Sequence, residues 1–137
     1  MYLALRGRAT GPELDKALWY GKRIDSQTRN SLVYRTRQRV GADVLPVVGA
    51  DGFYRLGNAV TTDWSDFQRL ARRGLAAGLD ETDDLRSAMN LVRDRPLLGV
   101  PDADYSWAEH DVQHMISTIA DVAPVLRRLL LEPGDEP

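Results

Sequence analysis

The stretch DSQTRNSLVYRTRQRVG, residues 25–41, combines a helix-start signal, a narrow apolar stripe and four arginines. Ser26 is a good N-cap, because its hydroxyl can accept a hydrogen bond from an amide of the first turn. Gly41 can adopt the positive φ that stops a helix. The sequence therefore predicts an amphipathic helix of about four turns between these two residues.

The two faces of this predicted helix differ in chemistry. At about 100° per residue, the apolar stripe contains Leu32, Val33, Thr36 and Val40. The opposite face contains Thr28, Ser31, Tyr34, Arg35 and Gln38, and the edges carry Arg29, Arg37 and Arg39. No acidic residue follows Asp25 in the stretch, which favours an anionic partner. An ordinary solvated face on a small domain is the alternative, and the helix alone leaves both open.

Composition limits the class of protein. A chain of 137 residues can form one domain or two small ones. Its 43% hydrophobic and 28% charged residues are typical of a soluble globular protein. The absence of cysteine excludes a disulfide framework, a thiol nucleophile and a zinc-cysteine site, and agrees with a cytoplasmic location. No apolar run approaches the roughly 20 residues that cross a bilayer.

The net charge of −2 is distributed unevenly along the chain. Residues 1–42 carry nine basic and three acidic groups, a net of +6. Residues 43–137 carry nine basic and seventeen acidic groups, a net of −8. This asymmetry indicates a basic face for DNA and an acidic body directed away from it.

The neighbours of the arginine-rich helix suggest a domain type. Thr10 and Glu13 have capping-box spacing at the start of a second helix, predicted to end at Gly21, and a short basic link joins it to the arginine-rich helix. This pair predicts a helix-turn-helix unit. Afterwards, VLPVV and FYRL flank an Asp-Gly turn and predict a β-hairpin. Helix, helix and hairpin is the order of a winged helix.

The remaining chain is predicted to be helical. One helix begins after an Asp63 cap, buries Leu75 among other apolar residues, and ends at Gly78. A second is capped by Thr82. The third begins near Ser106, bends near Pro124, and buries Val112, Met115, Ile119, Val122, Leu126, Leu129 and Leu130. The abrupt apolar start, MYLALRGRA, resembles the tail of a longer helix, so we expect the chain to be a piece of a longer protein.

Four stretches carry a resemblance to a known family: GPELDKALW, RNSLVYRTRQRVG, GFYRL, and the pair DWSDFQRL with LVRDRPLLGVPDADYSWAE. Together they cover most of residues 10–110. They resemble bacterial transcriptional activators, such as antibiotic regulatory protein-like regulators, that join an OmpR-type winged helix to a bacterial transcriptional activator domain. The resemblance implies a mainly α protein with a small β-hairpin: a winged helix-turn-helix domain at residues 1–62 and a helical, TPR-like domain at 63–137.

The resemblance also implies sequence-specific binding to double-stranded DNA, often as homodimers, with RNA polymerase contacted through the winged helix. The family's groove-facing positions correspond to Ser31, Tyr34, Arg35 and Gln38, and phosphate contacts to Arg29, Arg37 and Arg39. Arginine can bind guanine bidentately and glutamine can bind adenine. Thr28 in the helix, Lys22 and Arg23 in the link and Arg55 in the wing complete the predicted DNA-binding set.

Other patterns carry alternatives. The acidic wing tip at Asp51 and the negative net charge favour a winged helix that binds proteins as a scaffold module with little or no DNA binding. His110 and His114 in HDVQH have zinc-protease spacing, but Asp111 replaces the glutamate base and no third histidine exists, which favours a solvated face. Trp19, Trp64 and Trp107 are predicted core anchors. The sequence predicts no enzyme, no metal and no cofactor.

Overall fold

The computed structural model describes residues 1–20, 22–77, 82–101 and 105–131. In these ranges the chain is mainly helical with a small antiparallel sheet, which confirms the coarse prediction. The elements in chain order are α1 (Tyr2–Arg6), β1 (Arg8–Ala9), α2 (Gly11–Leu18), α3 (Ser26–Val40), β2 (Tyr54–Arg55), α4 (Asp63–Ala77), α5 (Thr82–Asn90) and α6 (Glu109–Leu131). A 3-10 turn at Ser106–Ala108 precedes α6. Gly21 and Gly78, the predicted helix ends, lie outside the described residues.

The chain divides into two compact units. The first unit contains Met1–Thr61 and Pro101–Trp107, and the second contains Thr62–Val100 and Ala108–Pro137. The first unit thus combines residues from before and after the predicted domain boundary at residues 62–63. The first unit therefore includes a segment that no local pattern assigned to it.

α2 begins at the predicted capping residues. The Glu13 carboxylate accepts hydrogen bonds from the backbone N–H of Thr10 at 2.7 Å and from its hydroxyl at 2.9 Å. Because these bonds favour the charged form, the pKa of Glu13 lies below its usual value. The carboxylate also lies near the positive end of the helix dipole. The start of α2 is thus determined by Thr10 and Glu13, which lie close together in the sequence.

α3 extends over the predicted stretch, but its N-cap differs from the prediction. Asp25 is the N-cap and accepts a hydrogen bond from the Thr28 amide at 2.7 Å, whereas Ser26 is the first helical residue. A carboxylate accepts more strongly than a hydroxyl and interacts with the helix dipole, which explains the preference. The same bond lowers the pKa of Asp25. Gly41 ends the helix with φ of 93°, as predicted.

The small sheet has a different partner from the one predicted. β2 pairs antiparallel with β1, with Arg8 opposite Arg55 and Ala9 opposite Tyr54. The VLPVV segment forms no strand, and Pro46 within it has no N–H to donate. Its loop is closed by two backbone bonds, from Gly57 N–H to the Val44 carbonyl at 2.9 Å and from Gly49 N–H to the Phe53 carbonyl at 3.0 Å. The predicted hairpin is therefore a closed loop carrying one strand.

The core of the first unit is small. Ala9, Leu14 and Tyr54 are buried together, and the partly buried Tyr2, Leu3 and Val33 pack against them. α3 contributes no fully buried residue. Its predicted inward-facing Val40 is 44% exposed, because the helix ends one residue later and the chain turns away. Apolar burial alone therefore holds α3 weakly.

The second unit has a larger apolar core of Phe67, Ala71, Leu85, Ala88 and Val122. Thr62, not Asp63, caps α4: the Thr62 hydroxyl accepts from the Ser65 amide, and the Ser65 hydroxyl accepts from the Thr62 amide, both at 3.0 Å. Pro124 lies within α6 without ending it. Leu75 and Leu130, predicted to be buried, are 49% and 53% exposed, so these two predictions are wrong.

The prediction that no segment crosses a bilayer concerns the length and the mean hydropathy of the helices. Among the described residues, no helix combines the length and the apolar character that a bilayer crossing requires.

Among the described glycines, Gly57 has the closest backbone contact, and this contact generates a prediction. A Cβ at Gly57 would lie 1.6 Å from the Asp43 carbonyl oxygen, a backbone atom that cannot move without shifting the loop after α3. Gly57→Ala should therefore destabilise the first unit by about 3 kcal/mol, the upper range for overpacking. Hydrogen exchange of α2 and α3 amides measures this, since it reports on the first unit separately from the second.

Gly49→Ala in the same loop is the matched control. Its added Cβ would meet the Asp51 carboxylate at 2.6 Å, and that exposed side chain can rotate away. We expect a loss below about 1 kcal/mol. Equal losses for the two variants would contradict the assigned backbone contact.

Candidate nucleic-acid interface

α3 presents most of its surface to solvent. None of its residues is buried, and Tyr34 is 58% exposed. The exposed side chains on the predicted outer face are Thr28, Ser31, Tyr34, Arg35 and Gln38, with Arg39 beside them. The structure thus confirms that these residues share an exposed surface. A helix this open needs specific contacts to hold it on the domain.

The main such contact is an ion pair between α3 and α2. Arg29 Nη1 donates to Asp15 Oδ2 at 2.5 Å, and the two side chains are only 14% and 23% exposed. The guanidinium lies directly against α2, since a Cβ at Gly11 would be 2.6 Å from Arg29 Cζ. Glycine at this position permits the close approach. Arg29 therefore holds the two helices together.

A tyrosine joins this contact to the sheet. The Tyr54 hydroxyl donates to Asn30 Oδ1 at 3.3 Å, and Tyr54 is 7% exposed in β2. Burial lowers the pKa of Arg29, but hydrogen bonding to Tyr54 and the charge of Asp15 outweigh it, so the net pKa is raised. Asp15, Arg29, Tyr54 and Asn30 form what we call the α3 anchor. It connects α2, α3 and β2.

Arg37 holds the other end of α3. Its Nε donates to the Leu45 carbonyl at 2.8 Å and its Nη2 donates to the Pro46 carbonyl at 3.0 Å. These bonds satisfy loop carbonyls that have no strand partner. Arg29 and Arg37 were both predicted to contact phosphate. In the structure their guanidinium groups instead bind to groups within the first unit.

Two arginines, Arg8 and Arg55, lie against Phe53 at the tip of the loop between α3 and β2, and Arg8 is 4.4 Å from the Phe53 ring centroid. Arg55 forms a bidentate pair with Asp51, at 2.5 Å from Nη2 to Oδ2 and 3.1 Å from Nη1 to Oδ1. The hydrogen bonds from Arg55, followed by the Phe53 amide, lower the pKa of Asp51 to about 2. The guanidinium also lies 5.5 Å from the Phe53 ring centroid. Arg55 was predicted to bind DNA, but its charge is matched at the tip itself.

Four predicted cations remain directed to solvent: Lys22, Arg23, Arg35 and Arg39. In the described part of the chain, no carboxylate lies within ion-pair distance of any of them. Arg35 makes only a long 3.4 Å bond from Nε to the Ser31 carbonyl of its own helix. These cations flank the polar face of α3. They can bind anions without first breaking an ion pair.

A shallow hollow on α3 includes residues outside the predicted DNA-binding set. Gln27 and Asn30 line it together with Ser31, Tyr34 and Arg35. Gln27 precedes Ser31 by four residues and Asn30 precedes Tyr34 by four, so helical spacing places them on adjoining positions. This i, i+4 spacing was the signal in the sequence that could have identified Gln27 and Asn30 as part of the surface. The amide of Gln27 extends the hydrogen-bonding surface towards the helix N-terminus.

The two histidines belong to α6, in the second unit. Both are exposed, and the His114 ring makes an edge-on contact with Trp64, with centroids 6.0 Å apart. Across the described ranges, no three His, Cys, Asp or Glu side chains are grouped as metal ligands would be.

Comparison of the chain with models of known protein families, with curated proteins and with solved structures finds no match. The proposed function therefore depends on the residues and their geometry.

The α3 anchor generates a stability prediction. Asp15→Asn keeps the shape but leaves the Arg29 cation without its counter-charge, so the first unit should lose about 2 kcal/mol of unfolding free energy. Amide hydrogen exchange in α3 measures the loss. The matched control is Asp51→Asn, which removes an exposed partner of Arg55 and should cost much less than Asp15→Asn, because exposed ion pairs contribute little to stability. If both variants cost the same, the buried pair does not anchor α3.

Proposed function

We propose that the first unit binds double-stranded DNA through α3, as the DNA-binding module of a transcriptional regulator. The observation that carries this proposal is the exposed α3 face, where Arg35 and Gln38 lie one turn apart with no acidic residue in the helix. An α-helix fits the major groove of B-DNA. In the proposed complex, α3 is the helix that enters the major groove.

The side chains on α3 have the chemistry of base recognition. Arginine can donate two hydrogen bonds to guanine, and glutamine can pair with adenine. Ser31 and Tyr34 add hydroxyl groups on the same exposed surface. We assign base contacts to Arg35 and Gln38, with Ser31 and Tyr34 beside them. Their i, i+3 and i+4 spacing aligns them along one side of the helix.

The flanking cations have the chemistry of phosphate binding. Lys22 and Arg23 precede α3 and Arg39 lies in its last turn, so cations lie at both ends of the inserted face. Phosphate contacts supply sequence-independent affinity and set the register of the helix. Thr28, in the first turn, is a further hydroxyl donor at the α3 N-terminus.

The surrounding elements support a helix-turn-helix arrangement. α2 precedes α3 through a short connection, and the ion pair from Arg29 to Asp15 joins the two helices. β2 follows and pairs with the strand before α2. One strand of the predicted hairpin is absent, because VLPVV forms no strand. Because the Asp51 and Arg55 charges cancel, we assign DNA recognition to α3 and not to the wing.

The resemblance to antibiotic regulatory protein-like activators extends the proposal to partners. As further proposals, it adds RNA polymerase and a second copy of the chain as partners, and a cytoplasmic location. In that family the helical part is TPR-like. For this chain, α4, α5 and α6 would supply the corresponding domain.

A scaffold role is the second candidate, and the pairing of Arg55 with Asp51 favours it. A winged helix that reads DNA often benefits from a cationic wing, whereas here Asp51 neutralises Arg55. The whole chain carries a net charge of −2. A protein-binding module would need neither the exposed cations nor a steep salt dependence.

Selection of a preferred duplex from a random library, followed by binding titrations, tests the DNA proposal. Between about 50 and 200 mM salt, affinity should fall steeply, because bound cations release counterions. Arg35→Ala with Gln38→Ala should abolish preference for the selected site. Arg39→Ala should keep that preference and lower the salt slope by about one.

Arg72→Ala is the matched control, since it removes an exposed arginine from α4 in the second unit. It should change neither site preference nor salt slope. No binding to duplex at about 50 mM salt would exclude the DNA proposal and favour the scaffold. Site preference that survives the Arg35 and Gln38 changes would overturn the base-contact assignment.

A further inference from the structure

α6 carries two stripes of side chains, and one of them packs into the second unit. This inner stripe repeats at alternating steps of three and four residues and consists of Val112, Met115, Ile119, Val122, Leu126 and Leu129. All of its members are buried or half-buried. Each residue that follows a member of this stripe is rotated by about 100° around the helix axis. These following residues form a second stripe beside the first.

The second stripe lies on the surface of the second unit. It consists of Glu109, Gln113, Ile116, Ala120, Ala123, Arg127 and Leu130, which we call the outer stripe. Ala123 is half-buried and the other members are exposed, with Ile116 at 37% and Leu130 at 53%. A groove of about 410 Å³, lined in part by Met89 of α5, borders its C-terminal end.

The repeat of the outer stripe is the repeat of a helix that pairs with another helix. A straight α-helix has about 3.6 residues per turn, so side chains seven residues apart drift slowly around it. They stay on one line only where two helices supercoil around each other. In the outer stripe the small side chains of Ala120 and Ala123 lie at the middle of this line and permit a second helix to approach closely.

The outer stripe has opposite charges towards its two ends. Glu109 lies in the first turn of α6, and Arg127 lies near its last turn. In the described part of the chain, neither side chain forms an ion pair. The Glu109 carboxylate accepts a hydrogen bond from Gln113 Nε2 at 2.9 Å, which orients it along the stripe. Both charges are therefore available to a partner that lies along α6.

A second copy of α6 complements this charge pattern when it runs antiparallel. A parallel copy would place Arg127 beside Arg127 and Glu109 beside Glu109, and like charges repel. In an antiparallel pair of seven-residue repeats, the two positions of the repeat face each other. One register then places Arg127 opposite Glu109 of the second copy and Ile116 opposite Ala120. The two-fold axis between the copies repeats each of these contacts.

The charges also select this register over its neighbour. A shift of one repeat along the stripe would place Arg127 opposite Ile116 and Ala120 opposite Ala123. Arg127 would then enter the contact without a counter-charge, which is costly for a group removed from water. The register that pairs Arg127 with Glu109 also places the large Ile116 side chain against a small one.

We propose that the chain forms a homodimer through the outer stripes of two antiparallel α6 helices, with reciprocal ion pairs between Arg127 of each copy and Glu109 of the other. The inference deepens the proposed function, which names a second copy of the chain as a partner, and it assigns that partner a surface. The outer stripe belongs to the second unit and contains none of the predicted DNA-binding residues. It can therefore be tested without DNA.

The size of the contact sets the expected strength of the dimer. At 1.5 Å per residue, the helix from Glu109 to Arg127 is about 27 Å long, and a contact roughly 10 Å wide buries on the order of 300 Å² from each copy. Stable interfaces bury about 800 Å² from each partner. The dimer should therefore be reversible, with a Kd of about 100 µM.

Sedimentation equilibrium of the full chain without DNA, between about 10 µM and 1 mM protein, measures the dimer. Glu109→Arg and Arg127→Glu each place like charges at both ion-pair positions and should weaken dimerisation at least about tenfold. Both side chains are exposed, so both variants should fold. Arg72→Glu is the matched control, because it makes the same charge change at an exposed residue of α4 and should leave the Kd unchanged.

Combining the two charge reversals tests the register. An equal mixture of the Glu109→Arg and Arg127→Glu chains should form a heterodimer, because one copy then carries two cations opposite two carboxylates of the other. The chain with both substitutions should dimerise about as tightly as the original, since each ion pair is only reversed. A general loss of folding or solubility would not restore association in this pattern.

Three results would overturn the proposal. A chain that remains monomeric at about 1 mM has no such dimer. Dimerisation that neither charge reversal weakens would keep the second copy as a partner but exclude the outer stripe. Failure of both the mixture and the double variant to associate would exclude the antiparallel register. DNA binding enters none of these measurements, so failure of the DNA proposal would leave the dimer result unchanged.

Discussion

The placement of α3 depends on the ion pair between Arg29 and Asp15. α3 has fifteen residues and buries none of them fully. An isolated helix of that length is marginal in water, so tertiary contacts must hold it. The partly buried Val33 gives some apolar support, and the α3 anchor supplies the directional part. Together with the hydrogen bonds from Arg37 to the Leu45 and Pro46 carbonyls, this contact orients the polar face of α3.

A partly buried ion pair is better suited to orienting a helix than to stabilising it. Removing two charges from water costs much of what their attraction returns. In addition, Asp15 Oδ1 and Arg29 Nε are buried without a hydrogen-bond partner among the described atoms. The guanidinium nevertheless lies directly against Gly11 and is bonded to Asp15, so its contacts join specific positions of the two helices. The anchor therefore selects one helix position at modest net stability.

This arrangement divides the arginines of α3 between two roles. Arg29 and Arg37 bind groups within the unit, at the two ends of the helix. Arg35 and Arg39 face solvent and remain open to a partner. In the proposed DNA complex the inward pair would serve the outward pair, because base recognition requires a helix held in one orientation. The second unit relies instead on ordinary apolar burial around Phe67 and Leu85.

Local sequence patterns were sufficient to predict the helices. The α2 cap, the end of α3 at Gly41 and the polar face with Arg35 and Gln38 depend on residues within a few positions of one another, and the 3.6-residue period reports them directly. The winged-helix and TPR-like assignments stay predictions. Tertiary contacts decided the partner of β2, the exposure of Leu75 and Leu130, and the inward direction of Arg29 and Arg37. Each of these depends on residues far apart in the chain or on where a neighbouring element ends, and neither composition nor periodicity records such contacts.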